Sequence, residues 1–165
     1  MQKKGSILIV GVGNILFSDE GLGVRALEYL EKHYHIPEEL TLLDGGTMGL
    51  TLVDCLADAR KVIIVDAIRG GNPPGFVYSL ELKDVPSHIK PLFSLHQLGV
   101  NELVGVSKLL HKELDIVLAG MEPMELSPST ELSAVVRLRM PLLAEAIKKE
   151  VKKSGVRMRK RRCRG

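Results

Sequence analysis

Five apolar runs of strand length, at about 6–11, 40–44, 61–66, 76–82 and 114–120, alternate with stretches whose apolar residues recur every three or four positions. Unbroken or alternating apolar runs suit strands, whereas a 3.6-residue period suits a helix with one wet face. The pattern predicts an α/β fold. The first helix is expected from near Glu20, with Val24, Leu27, Tyr29 and Leu30 on its buried side, and it stops before Pro37. Further helices are expected over about 48–59, 97–111 and 129–153, the last with a kink at Pro141, whose ring removes a backbone donor. Between the third and fourth strands, Ile68-Arg-Gly-Gly-Asn-Pro-Pro-Gly75 is too short for a crossover helix. The fourth strand should therefore run antiparallel, at or near an edge of the sheet.

This pattern places chemistry. Gly11-Val12-Gly13-Asn14 follows the first run, with Glu20 just past it, and Asp66 ends the run Val62-Ile63-Ile64-Val65. In an open parallel sheet the strand exits gather on one edge, where ligands bind. Glu20, Asp66 and His96, the last from a third loop, can then converge on one metal ion, with room left for substrate or water. Plainer readings stand beside each. Asp19 is expected to cap the first helix and offset its dipole, and Glu20 suits that task as well as it suits a ligand's. His96, taken alone, reads as a helix-start histidine. Asp44, opening Asp44-Gly45-Gly46-Thr47, either caps the second helix or serves beside the ion as a supporting partner or general base. Asp66 follows a buried strand, where a carboxylate needs a cation or donors to offset its lost hydration.

Other chemistries fit less well. Leu16 stands where a dinucleotide fingerprint needs its third glycine, and Asp19-Glu20 would repel a pyrophosphate. Gly-x-Ser-x-Gly, His-Glu-x-x-His and a lysine-bearing phosphate loop are all missing from the sequence, which disfavours serine hydrolase, zincin and P-loop mechanisms.

Composition bounds the rest. The 165 residues, 45% hydrophobic and 26% charged, suit one domain, expected over 1–155. The formal net charge of +3 comes from the end of the chain: of 23 Lys and Arg, six lie between Arg157 and Arg164, leaving 17 against 20 acids before it. Residues 156–165 are expected to form a mobile basic tail, so nucleic-acid binding has only that tail to rest on, and just 4% of the residues are aromatic. Cys55 and Cys163 give no disulfide framework, and free thiols in a cytoplasmic protein are the simplest account. No apolar run approaches the roughly 20 residues of a membrane span.

In order, Gly11-Val-Gly-Asn-Ile-Leu-Phe-Ser-Asp-Glu20-Gly-Leu-Gly23, Leu43-Asp-Gly-Gly-Thr47, Ile64-Val-Asp-Ala-Ile68 and His96-Gln-Leu-Gly99 resemble the nickel-iron hydrogenase maturation endopeptidases. The resemblance covers about residues 5–155, including the proline inside the last helix. It implies a monomeric three-layer α/β fold, with a mostly parallel, twisted five-stranded sheet between helices. It also implies an activity: removal of a C-terminal extension from the hydrogenase large-subunit precursor after nickel has been inserted. The family's metal-contacting residues match Glu20, Asp66 and His96, and its functionally important aspartate matches Asp44. The nickel is expected to arrive with the precursor, and residues 121–128 are either a wall of the peptide cleft or simply a long loop capping the last helix. A rival from another class uses the same ligands: a nickel-binding accessory protein that holds the precursor without cutting it.

Overall fold

The computed structural model describes residues 6–45, 59–92 and 114–162. Within them a mixed, mostly parallel sheet is built on β1 (Ser6–Gly11), β3 (Leu40–Asp44), β4 (Ala59–Arg69), β5 (Val77–Glu81) and β7 (Asp115–Met121). Their spatial order is β3-β1-β4-β7-β5, and the two-residue strand β6 (Lys90–Pro91) pairs antiparallel with the far end of β4. β1 runs parallel to both β3 and β4, and β4 runs parallel to β7. β5 is antiparallel to β7 and forms an edge, as the short Pro-Gly connection before it requires. All six residues of β1 are buried, which is what an unbroken Ser-Ile-Leu-Ile-Val-Gly run achieves when a central strand is covered on both faces.

Two helices are described, α1 (Leu22–His33) and α2 (Ala134–Lys153), and they pack on one face of the sheet. Their buried positions, Ala26, Leu27 and Leu30 from α1 and Val136, Met140, Leu143 and Ile147 from α2, join Ile7, Ile9, Ile63 and Val65 in one cluster. On the opposite face Leu8, Val10, Val62, Ile64, Ile68 and Leu118 form a second cluster. The helices expected over 48–59 and 97–111 lie outside the described residues, except that Ala59 already belongs to β4.

Three local expectations give way. The first helix begins at Leu22, and Glu20 belongs instead to the 3-10 turn Ser18–Gly21 that precedes it. α2 begins at Ala134, behind Ser133, because residues 124–133 are held against the turn around Asp19 by hydrogen bonds that a helix there would break. α2 then runs through Pro141 as one element.

The third concerns the segment after residue 155, expected as a mobile basic tail. Its described part is packed on the domain. Val156 and Met158 are 8% and 3% exposed and join the α1–α2 cluster. The short strands β2 (Tyr34–His35) and β8 (Arg159–Lys160) pair antiparallel, and Arg161 donates its backbone N–H to the His33 carbonyl at 2.8 Å. Alternating Val156, Arg157, Met158 and Arg159 bury the apolar side chains and leave the guanidinium groups in water, so high charge and a fixed place are compatible.

Candidate active site at the strand exits

From β1 the chain goes on to β3 on one side, and from β4 it goes on to β5 and β7 on the other, so the connections diverge between β1 and β4. Such a divergence opens a crevice outside the C-terminal strand ends. The sequence-predicted acids lie here. β1 ends at Gly11, opposite Val65 on one side and Asp44 on the other. Asp66 is the next residue of β4, and it has outlived its neighbour. Asp66 does not end its strand, as the sequence suggests; β4 continues to Arg69 because Ile68 and Arg69 find β6 as a new partner. The carboxylate is 0% exposed. By alternation it shares the face of Val62, Ile64 and Ile68, away from α1.

Glu20 arrives from the other face. Gly13 sits at φ 123°, and a Cβ there would stand 1.8 Å from the Glu20 carbonyl oxygen, so only glycine admits this approach. The Val12 N–H donates to the Val65 carbonyl at 3.0 Å, stitching the same turn to the residue before Asp66. A Cβ on Gly23 would lie 2.1 Å from the Val65 oxygen and 2.3 Å from the Val12 oxygen, so α1 starts in direct contact with both strand exits. Asp44, half-buried, is set beside them by the Gly11–Asp44 register and by Gly45, whose N–H donates to the Gly11 carbonyl at 2.8 Å. The structure thus brings Glu20, Asp44 and Asp66 to one edge. His96 lies outside the described residues, and among those described no three His, Cys, Asp or Glu side chains form a metal-holding group.

Two residues of the edge have roles the sequence does not disclose. Asp19, expected as a cap of the first helix, makes no such cap. Its carboxylate is 0% exposed and accepts hydrogen bonds from the segment that follows β7, over 100 residues away. Glu122 follows β7 directly and accepts from the Gly70 and Asn72 N–H groups at 2.9 and 3.3 Å, and from the Tyr78 hydroxyl. Burial, reinforced by the hydrogen bond to Glu122, pushes the Tyr78 hydroxyl above its ordinary pKa, so it stays protonated and donating. Glu122 therefore closes the 70–75 turn. An acid that ends an apolar run, the signal that points to Asp66, also marks Glu122, which backbone donors and the Tyr78 hydroxyl hold in place.

Ser18 lies at φ 44°, in the left-handed region, which costs a non-glycine residue about 1–3 kcal/mol and persists only where the surroundings enforce it. Enforcement is visible: Ser18 N–H donates to the Ser129 carbonyl at 2.8 Å, and Ser129 N–H returns to the Leu16 carbonyl at 3.0 Å. On either side of this joint, Leu16 and Met124 stand 59% and 64% exposed, leaving apolar side chains on the rim of the edge.

Fold and site define an α/β protein that gathers acidic residues at the switch point of a mostly parallel sheet, the kind of place where ligands bind in such folds. Comparison with known proteins narrows the class. Residues 24–150 match the family model described as hydrogenase maturation protease, and the chain belongs to that family. It is 35% identical over 152 residues to the hydrogenase 2 maturation protease of Escherichia coli K12, covering 91% of this chain and 93% of that protein. It is 42% identical over 122 residues to the hydrogenase expression/formation protein HupD of Bradyrhizobium diazoefficiens, covering 73% of this chain but only 64% of that relative, so it spans just under two thirds of the relative's length. Among solved structures, the hydrogenase maturating endopeptidase HybD from E. coli superposes with a TM-score of 0.82 at 34% identity, covering 94% and 98% of the two chains.

Proposed function

We propose that this chain is an endopeptidase that removes the C-terminal extension of a nickel-iron hydrogenase large-subunit precursor once nickel is in place. The observation that carries the reading is the placement of Glu20, Asp44 and Asp66 on one edge in a member of the maturation protease family. The nickel belongs to the substrate. Glu20, Asp66 and His96 are its proposed contacts, two carboxylates and an imidazole that together leave positions for the precursor's own ligands. A cation suits this edge, because carboxylates gathered where strands end repel one another unless positive charge offsets them. Bound there, the ion would mark a loaded precursor and could polarise a carbonyl or a water.

The chain's own residues have separate tasks. Asp44, half-buried between the Gly11 and Gly45 backbones, is the proposed proton acceptor when water attacks the scissile peptide. Leu16 and Met124 offer apolar contact to the precursor chain on either side of Glu20. The proposed setting is a cytoplasmic monomer; among the described residues no helix is long and apolar enough to cross a membrane.

Intact mass spectrometry of nickel-loaded and nickel-free precursor, before and after incubation with the protein, tests the reading. Loss of a defined C-terminal peptide from the loaded form alone is expected, and Glu20→Ala, Asp66→Ala or His96→Ala should each abolish it. Equal cleavage of both forms would remove nickel recognition. An unchanged mass with a competent precursor would leave the nickel-binding accessory protein as the better account.

A further inference from the structure

Asp19 sits next to Glu20 and is wholly buried, yet the chemistry above does not use it. Its Oδ2 accepts from the Met124 N–H at 2.9 Å, the Glu125 N–H at 2.9 Å and the Ser133 hydroxyl at 2.7 Å, and its Oδ1 accepts from the Ser133 N–H at 2.8 Å. Its own N–H donates to the Glu125 carbonyl at 3.1 Å. Three of the four donors to the carboxylate are backbone N–H groups, which can only donate. An ionised carboxylate, with acceptor capacity on both oxygens and no proton of its own, is the side chain that meets them all.

We infer that Asp19 is a positioning residue: its carboxylate joins the turn that carries Glu20 to the segment 124–133, so that one buried polar joint sets both walls of the candidate cleft. The inference rests on the endopeptidase reading and adds a residue to it. Glu20 depends on its turn for its place. Among the described residues its half-buried side chain makes no hydrogen bond, and its backbone N–H is held by the Phe17 carbonyl at 3.0 Å within the same turn. That turn is tied to the segment 124–133 twice: through Ser18, whose N–H donates to the Ser129 carbonyl, and through the Asp19 carboxylate. The partner segment is similarly dependent: Met124 and Glu125 are exposed and lie outside any helix or strand, so the contact with Asp19 fixes their backbone directly. Ser133 completes the joint as the residue before α2, so the first turn of that helix is tied to the same carboxylate.

Asparagine tests the joint without changing its size. Whichever way the amide is turned, its NH2 group faces at least one backbone N–H that can only donate, so the joint is broken on one side. Asp19→Asn, Ser133→Ala and Ser133→Thr are compared with Glu150→Gln, which removes a buried charge at the opposite end of the sheet. All are assayed at a temperature where circular dichroism shows them folded. Initial rates on nickel-loaded precursor give kcat and KM, and hydrogen exchange reports protection at residues 17–21 and 122–133.

The expected result is a fall of at least tenfold in kcat/KM for Asp19→Asn, carried mainly by KM because both walls meet the precursor before the bond breaks. Exchange should rise at 17–21 and 122–133 and stay unchanged in β1, β4 and β7. Ser133→Ala should lose part of the activity and Ser133→Thr, which keeps the hydroxyl, should regain it, while Glu150→Gln stays within twofold of the parent. Parent-like kinetics and exchange in Asp19→Asn, or a loss matched by Glu150→Gln with exchange raised throughout the sheet, would overturn the inference. If the parent protein cut no precursor, the endopeptidase reading would fall. The exchange pattern would still decide the joint: a local rise at both segments supports it and no change overturns it.

Discussion

Replacing Gly23 by alanine adds one methyl group where the structure has no space. The new Cβ would stand 2.1 Å from the Val65 oxygen, 2.3 Å from the Val12 oxygen and 2.5 Å from the Val12 nitrogen. All three are backbone atoms of strand exits, so no side chain can rotate away. Restoring contact means lifting the start of α1 from the sheet by roughly 1 Å, given ordinary separations of about 3.5 Å. Overpacking of this kind costs about 1–3 kcal/mol, and a rigid backbone obstacle points to the upper end. Alanine recovers about 1 kcal/mol of helix propensity, and the clash outweighs it. A net loss near 2 kcal/mol should lower the melting temperature by roughly 4–8 °C for a chain of this length. The functional loss should be larger, because a shift of about 1 Å at a positioned group costs on the order of 100-fold in rate. Differential scanning calorimetry and precursor cleavage, each against Gly23→Ser as a second variant carrying a Cβ, measure the two effects. An alanine variant that melts and cuts like its parent would refute the close approach of α1 to the strand exits; lost stability with full cleavage would show that α1 does not set the position of Glu20.

Two further predictions concern parts of the molecule away from the site. Lys61, 4% exposed, meets Glu150 at 3.2 Å and Asp115 at 3.0 Å, while Lys153 approaches Glu150 at 2.7 Å. Burial works to raise the Glu150 pKa, but the hydrogen bonds and charges of Lys153 and Lys61 prevail and hold it below its ordinary 4.5. Its stabilising contribution is therefore present above pH 4.5 and is lost as pH falls through the lower folded value. Glu150→Gln should cost about 1–3 kcal/mol at neutral pH, since Lys61 keeps Asp115, and urea denaturation should show the gap to the parent shrinking below pH 4.5. A gap that does not change with pH would argue against the pairing. Met158→Ala, at a site 3% exposed, should cost about 2–5 kcal/mol in the same assay, whereas no loss would place residues 156–160 off the domain.

What the sequence discloses follows from the range of the interactions involved. Unbroken apolar runs mark β1, β4 and β7 because both faces of each are buried, and the short Pro-Gly connection dictates that β5 turns back. Asp44 and Asp66 are visible because an acid at the end of an apolar run contradicts its surroundings. The interior position of Asp66 is not visible, since it depends on β6, a pair of residues without strand character of their own. β2 and β8 are equally hidden: Tyr34-His35 and Arg159-Lys160 find each other across more than 120 residues, and their local composition reads as a helix end and a charged tail. The role of Asp19 fails for the same reason, as every partner of its carboxylate lies more than 100 residues on.

Asp19 and Glu20 show how one short turn gives two adjacent acids different surroundings, and on the proposed reading different tasks. A 3-10 turn advances about 120° per residue, so neighbours within it cannot face the same way. Ser18, forced to positive φ by its bond to Ser129, sets the phase of the turn Ser18–Gly21. Asp19 then faces inward, where four donors meet its carboxylate, and Glu20, a third of a turn away, is left half-buried. Had the phase slipped by one residue, Glu20 would face those donors with a side chain one methylene too long, and Asp19 would be too short to reach across the edge. Gly13 and Gly23 hold the phase from the other side, each occupying a place that a Cβ would contest. On the proposed reading the run from Gly11 to Gly23 is a single device for placing the Glu20 carboxylate, and its glycines, its strained serine and its buried aspartate are intelligible together.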